Sequence, residues 1–145
     1  AIYASLLTPQ GKVMFDFFIA DGGERLLVDC ERARAPDLLK RLQLYNLRAK
    51  IELANLCETH AVVACWDGDA PEAGFPDPRL AALGWRTILA NEDAMRLVGS
   101  QDTTADDYDR HRLGLGVPDG PRDIPPETMF LLVVGLAAAR RRSTS

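Results

Sequence analysis

Three side chains near the start of the chain have the types and spacing for binding or acid–base chemistry: Tyr3, Asp16 and Asp29. Phe18 stands two residues beyond Asp16 and offers an aromatic face beside them. Ile2–Leu7 is a short apolar segment, Lys12–Ala20 is rich in aromatic and branched residues, and Arg25–Cys30 is a third apolar run, each with strand character. Thr8-Pro9-Gln10-Gly11 has Pro and Gly where a type I turn favours them. Asp21-Gly22-Gly23-Glu24 reads as a second hairpin connection. These segments predict an antiparallel β-meander.

A register follows from the turns. With a turn at Thr8–Gly11, Leu7 lies opposite Lys12, and with a Gly22-Gly23 loop, Asp21 faces Glu24. Side-chain alternation then gathers Ile2, Ala4, Leu6, Val13, Phe15, Phe17, Ile19, Leu26, Val28 and Cys30 on one face, which is the expected core face. Tyr3, Ser5, Met14, Asp16, Phe18, Leu27 and Asp29 fall on the other, with Tyr3, Asp16 and Asp29 in one row across the strands. Opposed carboxylates repel unless a proton, a cation or a donor-rich ligand lies between them. Aromatic and aliphatic neighbours around a few polar anchors suit a small-molecule pocket. The same pattern is met by a sheet face half open to water, and a one-residue bulge in either turn breaks the row.

The remaining elements must position this face. Pro36 suits the first turn of a helix, and Leu38, Leu39, Leu42 and Tyr45 form an apolar stripe at helical spacing, Tyr45 included in the core. Helix after meander gives an α+β fold. Lys50–Ala54 and Glu58–Trp66 read as strands around an Asn55-Leu56 turn, Asp67–Pro78 as a loop, and Trp85–Ala90 as a strand. Asn91 is placed to cap a helix over Glu92–Val98. Ala105–Leu115 should be helical, with Asp106, Asp107 and Asp109 early and Arg110 and Arg112 late, the order a helix dipole prefers.

Other chemistry is poorly supported. Cys57, His60 and Cys65 suggest a metal set, but a regular strand points His60 and Cys65 to opposite faces and separates the two cysteines by about 26 Å at ~3.3 Å per residue. Buried structural thiols are expected instead, and no metal site. Asp67-x-Asp69 opens like a calcium loop, yet Glu72 and Pro78 stand where Gly and Glu are required. Gly114-x-Gly116 lacks the third glycine of a dinucleotide fingerprint, Asp119 holding that place. His60 and His111 have no nucleophile visible beside them.

Composition sets the outer bounds. At 145 residues and 47% hydrophobic, the chain can bury a core and is too apolar for disorder. A net charge of −4, with no long basic run, argues against nucleic acid. The longest apolar run, Met129 to Ala139, is about half the ~20 residues a membrane span needs. Three cysteines without a CxxC, Cys30, Cys57 and Cys65, suit a reducing compartment.

Several segments resemble a known family. TPQGKVMFDF with LLVDCERA, LLKRLQLYNLRAKIEL, and YDRHRLGLGVPDGPRDIPPETMF are similar to the YgfZ-type proteins, folate-binding relatives of the glycine-cleavage aminomethyltransferase implicated in iron–sulfur cluster assembly and repair. The resemblance covers most of residues 1–130. It implies ferredoxin-like α+β lobes around a folate pocket, with residues 1–48 the end of a first lobe, 49–130 a second lobe and 131–145 a divergent tail. It implies tetrahydrofolate or a reduced derivative as the cofactor, with iron–sulfur assembly proteins or clients as partners. By position Asp16 and Tyr3 match family pocket residues, Phe18 adds stacking or edge contact, and Asp29 is a second acceptor where the transferases usually carry Asn. An aminomethyltransferase is the competing reading, with Asp16 catalytic as electrostatic anchor or proton acceptor, and an inactive truncated chain is a third. The family's K-G-C-x-G-Q-E cysteine signature is missing and Ala1 opens in mid-strand, so a portion of a longer protein is expected. The implied home is the bacterial cytoplasm, or the mitochondrial matrix if the source is eukaryotic.

Overall fold

The computed structural model of the chain describes residues 1–46, 51–99 and 103–130. β1 (Ile2–Leu7), β2 (Val13–Asp21) and β3 (Leu26–Asp29) form the expected antiparallel meander in the order β1-β2-β3. A 3-10 turn at Arg32–Arg34 leads into α1 (Ala35–Tyr45), which has proline in its first turn. A second antiparallel sheet contains β4 (His60–Cys65), β5 (Phe75–Pro76) and β6 (Trp85–Ala90), with β6 central. α2 (Asn91–Val98), α3 (Ala105–Gly114) and the short α4 (Gly120–Asp123) complete an α+β fold.

The meander differs from the expected register by two residues in each hairpin. Tyr3 pairs with Phe18, Ser5 with Asp16, and Phe18 with Asp29. In the first hairpin, Gly11 N–H donates to the Thr8 carbonyl and Thr8 N–H to the Lys12 carbonyl. Gly11 has φ +83°, so this is a type I turn closed by a left-handed residue, which adds one position. A second is added where the ladder steps from Leu6↔Phe15 to Leu7↔Val13 and leaves Met14 unpaired. Arg34 satisfies the freed Met14 carbonyl at 2.8 Å and lays its guanidinium over the Phe15 ring at 4.2 Å. In the second hairpin Asp21 pairs with Leu26, so the loop takes in Glu24 and Arg25. Gly22 N–H reaches the Arg25 carbonyl, and Gly23 N–H is held by Asp21 Oδ1. From Phe15 onward the shift of two leaves the side chains on their expected faces, whereas Val13, shifted by one, and the bulged Met14 do not keep theirs. The row across the strands is therefore Tyr3–Phe18–Asp29, and Asp16 lies one diagonal away.

Burial corrects the assignment of a single core face. Phe15 and Met14 are buried with Leu38, and Leu6, Phe17, Cys30 and Leu42 pack around them. On that same face Ile2, Leu26 and Val28 are exposed, because α1 covers only part of it. Met14, Phe18, Ala20 and Asp29, outside the expected core face, are buried. Tyr45 is exposed rather than core. The apolar stripe of α1 is engaged at Leu38 and Leu42 and not in its last turn.

Farther along, residues 51–56 carry no regular structure, so the expected strand Lys50–Ala54 is not formed over its described residues. Asn91 does not cap α2. Its Nδ2 donates to the Glu58 carbonyl at 2.8 Å and its backbone N–H to Thr59, which fastens α2 to the entry of β4. α3 is capped instead by Thr104, in a reciprocal capping box with Asp107. The expected tail 131–145 and the lobe boundary at 48 lie outside the described residues. No helix among the described residues is long and apolar enough to cross a membrane.

Leu38 is the buried link between α1 and the sheet. Leu38→Ala should lower unfolding stability by about 2–5 kcal/mol, read from the urea midpoint at unchanged slope.

Candidate functional site

The diagonal between β1 and β2 brings Tyr3 Oη to Asp16 Oδ2 at 2.7 Å. Burial, and then the Asp16 carboxylate, push the Tyr3 phenol well above its ordinary titration range, so the hydroxyl stays a donor. The Tyr3 and Phe18 rings lie 5.0 Å apart, tilted by 41°. Asp16 is backed by Gly120, where an added Cβ would stand 2.9 Å from both carboxylate oxygens.

Phe18 and Asp29 sit at a buried join between the two sheets. The guanidinium of Arg86, on β6, lies 4.3 Å from the Phe18 ring centre, and that of Arg79 lies 4.8 Å from it. Arg86 donates Nη2 and Nε to Asp29 Oδ2 at 2.5 and 3.1 Å. Arg79 forks onto Asp77, Nε to Oδ1 at 3.0 Å and Nη2 to Oδ2 at 2.8 Å. Tyr108 Oη, from α3, accepts from Arg79 at 2.9 Å and from Arg86 at 3.4 Å. The Asp77 side chain is 1% exposed and that of Arg79 is 6% exposed. Burial works against the Arg79 charge, but the bonds and charge of Asp77 outweigh it and hold the guanidinium more firmly protonated than usual. Two cations and two anions thus cancel in a dry space, with aromatic faces between them.

The expected site is therefore divided. Tyr3 and Asp16 form a hydrogen-bonded pair, whereas Asp29 is engaged by Arg86 and Phe18 lies under two guanidiniums. A cavity of about 430 Å³ lies elsewhere, between β3, α1, the 52–57 segment and β4. Asp29, Cys30, Cys57 and His60 line it, but Tyr3, Asp16 and Phe18 do not. Arg32 holds this region together by donating to the carbonyls of Cys57 and His60. The three cysteines are free thiols and only partly buried, a correction to fully buried structural thiols. His60 Nδ1 lies 2.8 Å from Thr59 Oγ1, and His111 stacks on Trp66. No group of three His, Cys, Asp or Glu among the described residues is placed to hold a metal ion.

Sequence reasoning missed Asp77, Arg79, Arg86 and Tyr108. The available signal was Arg86 between Trp85 and Thr87 in an otherwise apolar strand. A charged residue alternating into a buried sheet face requires a partner.

Arg86→Met should cost about 3–5 kcal/mol in denaturant unfolding because it strands the buried Asp29 carboxylate. Adding Asp29→Asn should recover part of that loss. Alkaline titration gives a second check. Burial, then Asp29, push the Cys30 thiol from 9.0 up to about 11. The stability this contributes is complete below pH 9 and is lost as pH rises towards about 11. Cys30→Ser should flatten the fall in unfolding midpoint over that interval.

No protein-family model matches the chain. It is 31% identical to a protein of Mycosarcoma maydis described as iron-sulfur cluster assembly factor IBA57 homolog, mitochondrial, over 86% of this chain and 34% of that protein. It is 29% identical to human mitochondrial iron-sulfur cluster assembly factor IBA57, over 93% of this chain and 43% of the human one. The mouse counterpart is 27% identical over 87% and 40%. The chain thus spans between 34% and 43% of the length of these curated relatives. Homology to iron–sulfur cluster assembly factors supports the aminomethyltransferase-like superfamily for this chain, without singling out its YgfZ branch.

Proposed function

We propose that this chain supplies a reduced-folate site to an iron–sulfur cluster assembly factor, and that it works in mitochondria, as its relatives are named. The assembly role rests on those relatives. The ligand rests on one observation, the Tyr3–Asp16 hydrogen bond on the meander face opposite α1.

The residues present suit a pterin. Tyr3 engages Asp16 Oδ2, which leaves Oδ1 to accept from the amino and ring N–H edge of the ligand. That bond also fixes the carboxylate's rotation, so its second oxygen is aimed before any ligand arrives. Tyr3 gives the pterin an aromatic edge, and Phe18 supports Tyr3 from below. Asp29 serves through Arg86, keeping the guanidinium against Phe18. A bound tetrahydrofolate supplies one-carbon and proton-transfer chemistry. The chain's own part is to orient it and to hold the accepting oxygen at Asp16. Proteins that build or receive iron–sulfur clusters are the partners of this reading.

Calorimetry with 5-formyltetrahydrofolate tests the ligand. Asp16→Asn should weaken binding about 10- to 100-fold, the worth of one hydrogen bond to a charged group. The exposed Arg96→Gln should leave binding unchanged. Equal affinity in the Asp16 variant and the unaltered chain refutes the assignment.

A further inference from the structure

The segment that covers Asp16 is held in an unusual way. Pro118–Asp123 passes over the carboxylate, and Gly120, at φ +38°, is the residue in contact with it. A side chain there meets both carboxylate oxygens at 2.9 Å, so the missing Cβ is the space into which Asp16 fits. After the segment, the backbone is tied to β2, with Glu127 N–H donating to the Val13 carbonyl and Val13 N–H to that of Met129. Within it, most of the ties to the rest of the molecule are made by side chains.

Those ties differ in strength. At one end Arg79 donates to the Pro118 carbonyl at 3.2 Å and stands 3.9 Å from Asp119. Arg112, only 3% exposed, pairs with Asp123 at 2.5 Å and donates to the Val117 carbonyl at 3.3 Å. Both arginines are buried, so both ties are hard to break. Arg122 is different. It forks onto Asp109 at 3.0 and 2.6 Å and lies 3.5 Å from Asp119, but its side chain is 56% exposed. Of the three arginines Arg122 is the one open to water, so its tie to Asp109, itself 18% exposed, is the most easily exchanged for solvent.

We propose that Pro118–Asp123 is a strap controlling access to the Asp16 carboxylate, with Gly120 as its positioning residue and the Arg122–Asp109 pair as its releasable latch. This rests on the reading of Asp16 as the anchor of an N–H-donating heteroaromatic ligand. With the strap down, Asp16 is covered by Gly120. Opening the latch lets the middle of the strap lift from Asp16 and exposes the free oxygen, while Arg79 at Pro118 and Arg112 at Asp123 hold the two ends. The latch therefore sets the rate of ligand entry, and Gly120 sets the depth left for the ligand's donor edge.

Carboxylate labelling with a water-soluble carbodiimide and glycine ethyl ester, mapped by mass spectrometry, reads the strap without any ligand. Asp93, exposed on α2, is the internal reference. In the unaltered chain Asp16 should label several-fold more slowly than Asp93. Arg122→Gln, a change at an exposed side chain, should raise Asp16 labelling several-fold and leave Asp93 unchanged. The same variant should speed association of 5-formyltetrahydrofolate in stopped flow more than it changes the equilibrium constant. Gly120→Ala should also raise labelling, but should weaken affinity. If Asp16 labels as fast as Asp93 in the unaltered chain, or Arg122→Gln alters neither labelling nor association rate, the strap is overturned. If labelling responds as expected while Asp16→Asn leaves folate affinity intact, the strap is supported and the folate reading falls.

Discussion

Two buried guanidiniums join the halves of this molecule. Arg86 leaves β6 to meet Asp29 at the end of β3, and Arg79 is locked to Asp77 beside it, with Phe18 of β2 beneath both. Taking four charges out of water is tolerable only when each is matched. The match here spans two sheets and α3, through Tyr108. The position of the meander relative to the second sheet therefore depends on hydrogen-bond geometry as well as on apolar contact. Tyr3 depends on it next, since its ring rests beside Phe18, and Asp16 depends on Tyr3. The Tyr3–Asp16 pair is thus oriented through Phe18 by residues that are largely buried.

Local features of the sequence disclosed much of this. The first and last strands, Ile2–Leu7 and Trp85–Ala90, were legible because a turn residue borders an apolar run in each, Pro9 and Gly11 after the one and Gly84 before the other. The shared face of Tyr3, Asp16, Phe18 and Asp29 was legible from alternation alone. Their order across the strands was not. It depends on the loop after Asp21 and on the unpaired Met14, whose carbonyl is satisfied by Arg34 from twenty residues away. Tertiary contacts settled those points, and sequence spacing carries no trace of them. The arginine join was hidden for the same reason, since Arg86 and Asp29 are 57 positions apart.

The stretch shared with the assembly factors takes in 86% to 93% of this chain. Neither Tyr3 nor Asp16 lines the cavity near Cys30. The cavity and the arginine join meet at Asp29, which lines the cavity and also anchors Arg86.

The first hairpin holds one further consequence. Its turn adds one position through Gly11 and its ladder adds another at Met14, and the two additions together restore the original facing from Phe15 onward. Loop length in this hairpin is therefore quantised. Losing either irregularity alone would turn Asp16 and Phe18 towards α1 and Phe15 and Phe17 away from it. Viable descendants of this sequence should gain or lose hairpin residues in pairs, so length polymorphism here would record compensated events rather than gradual drift.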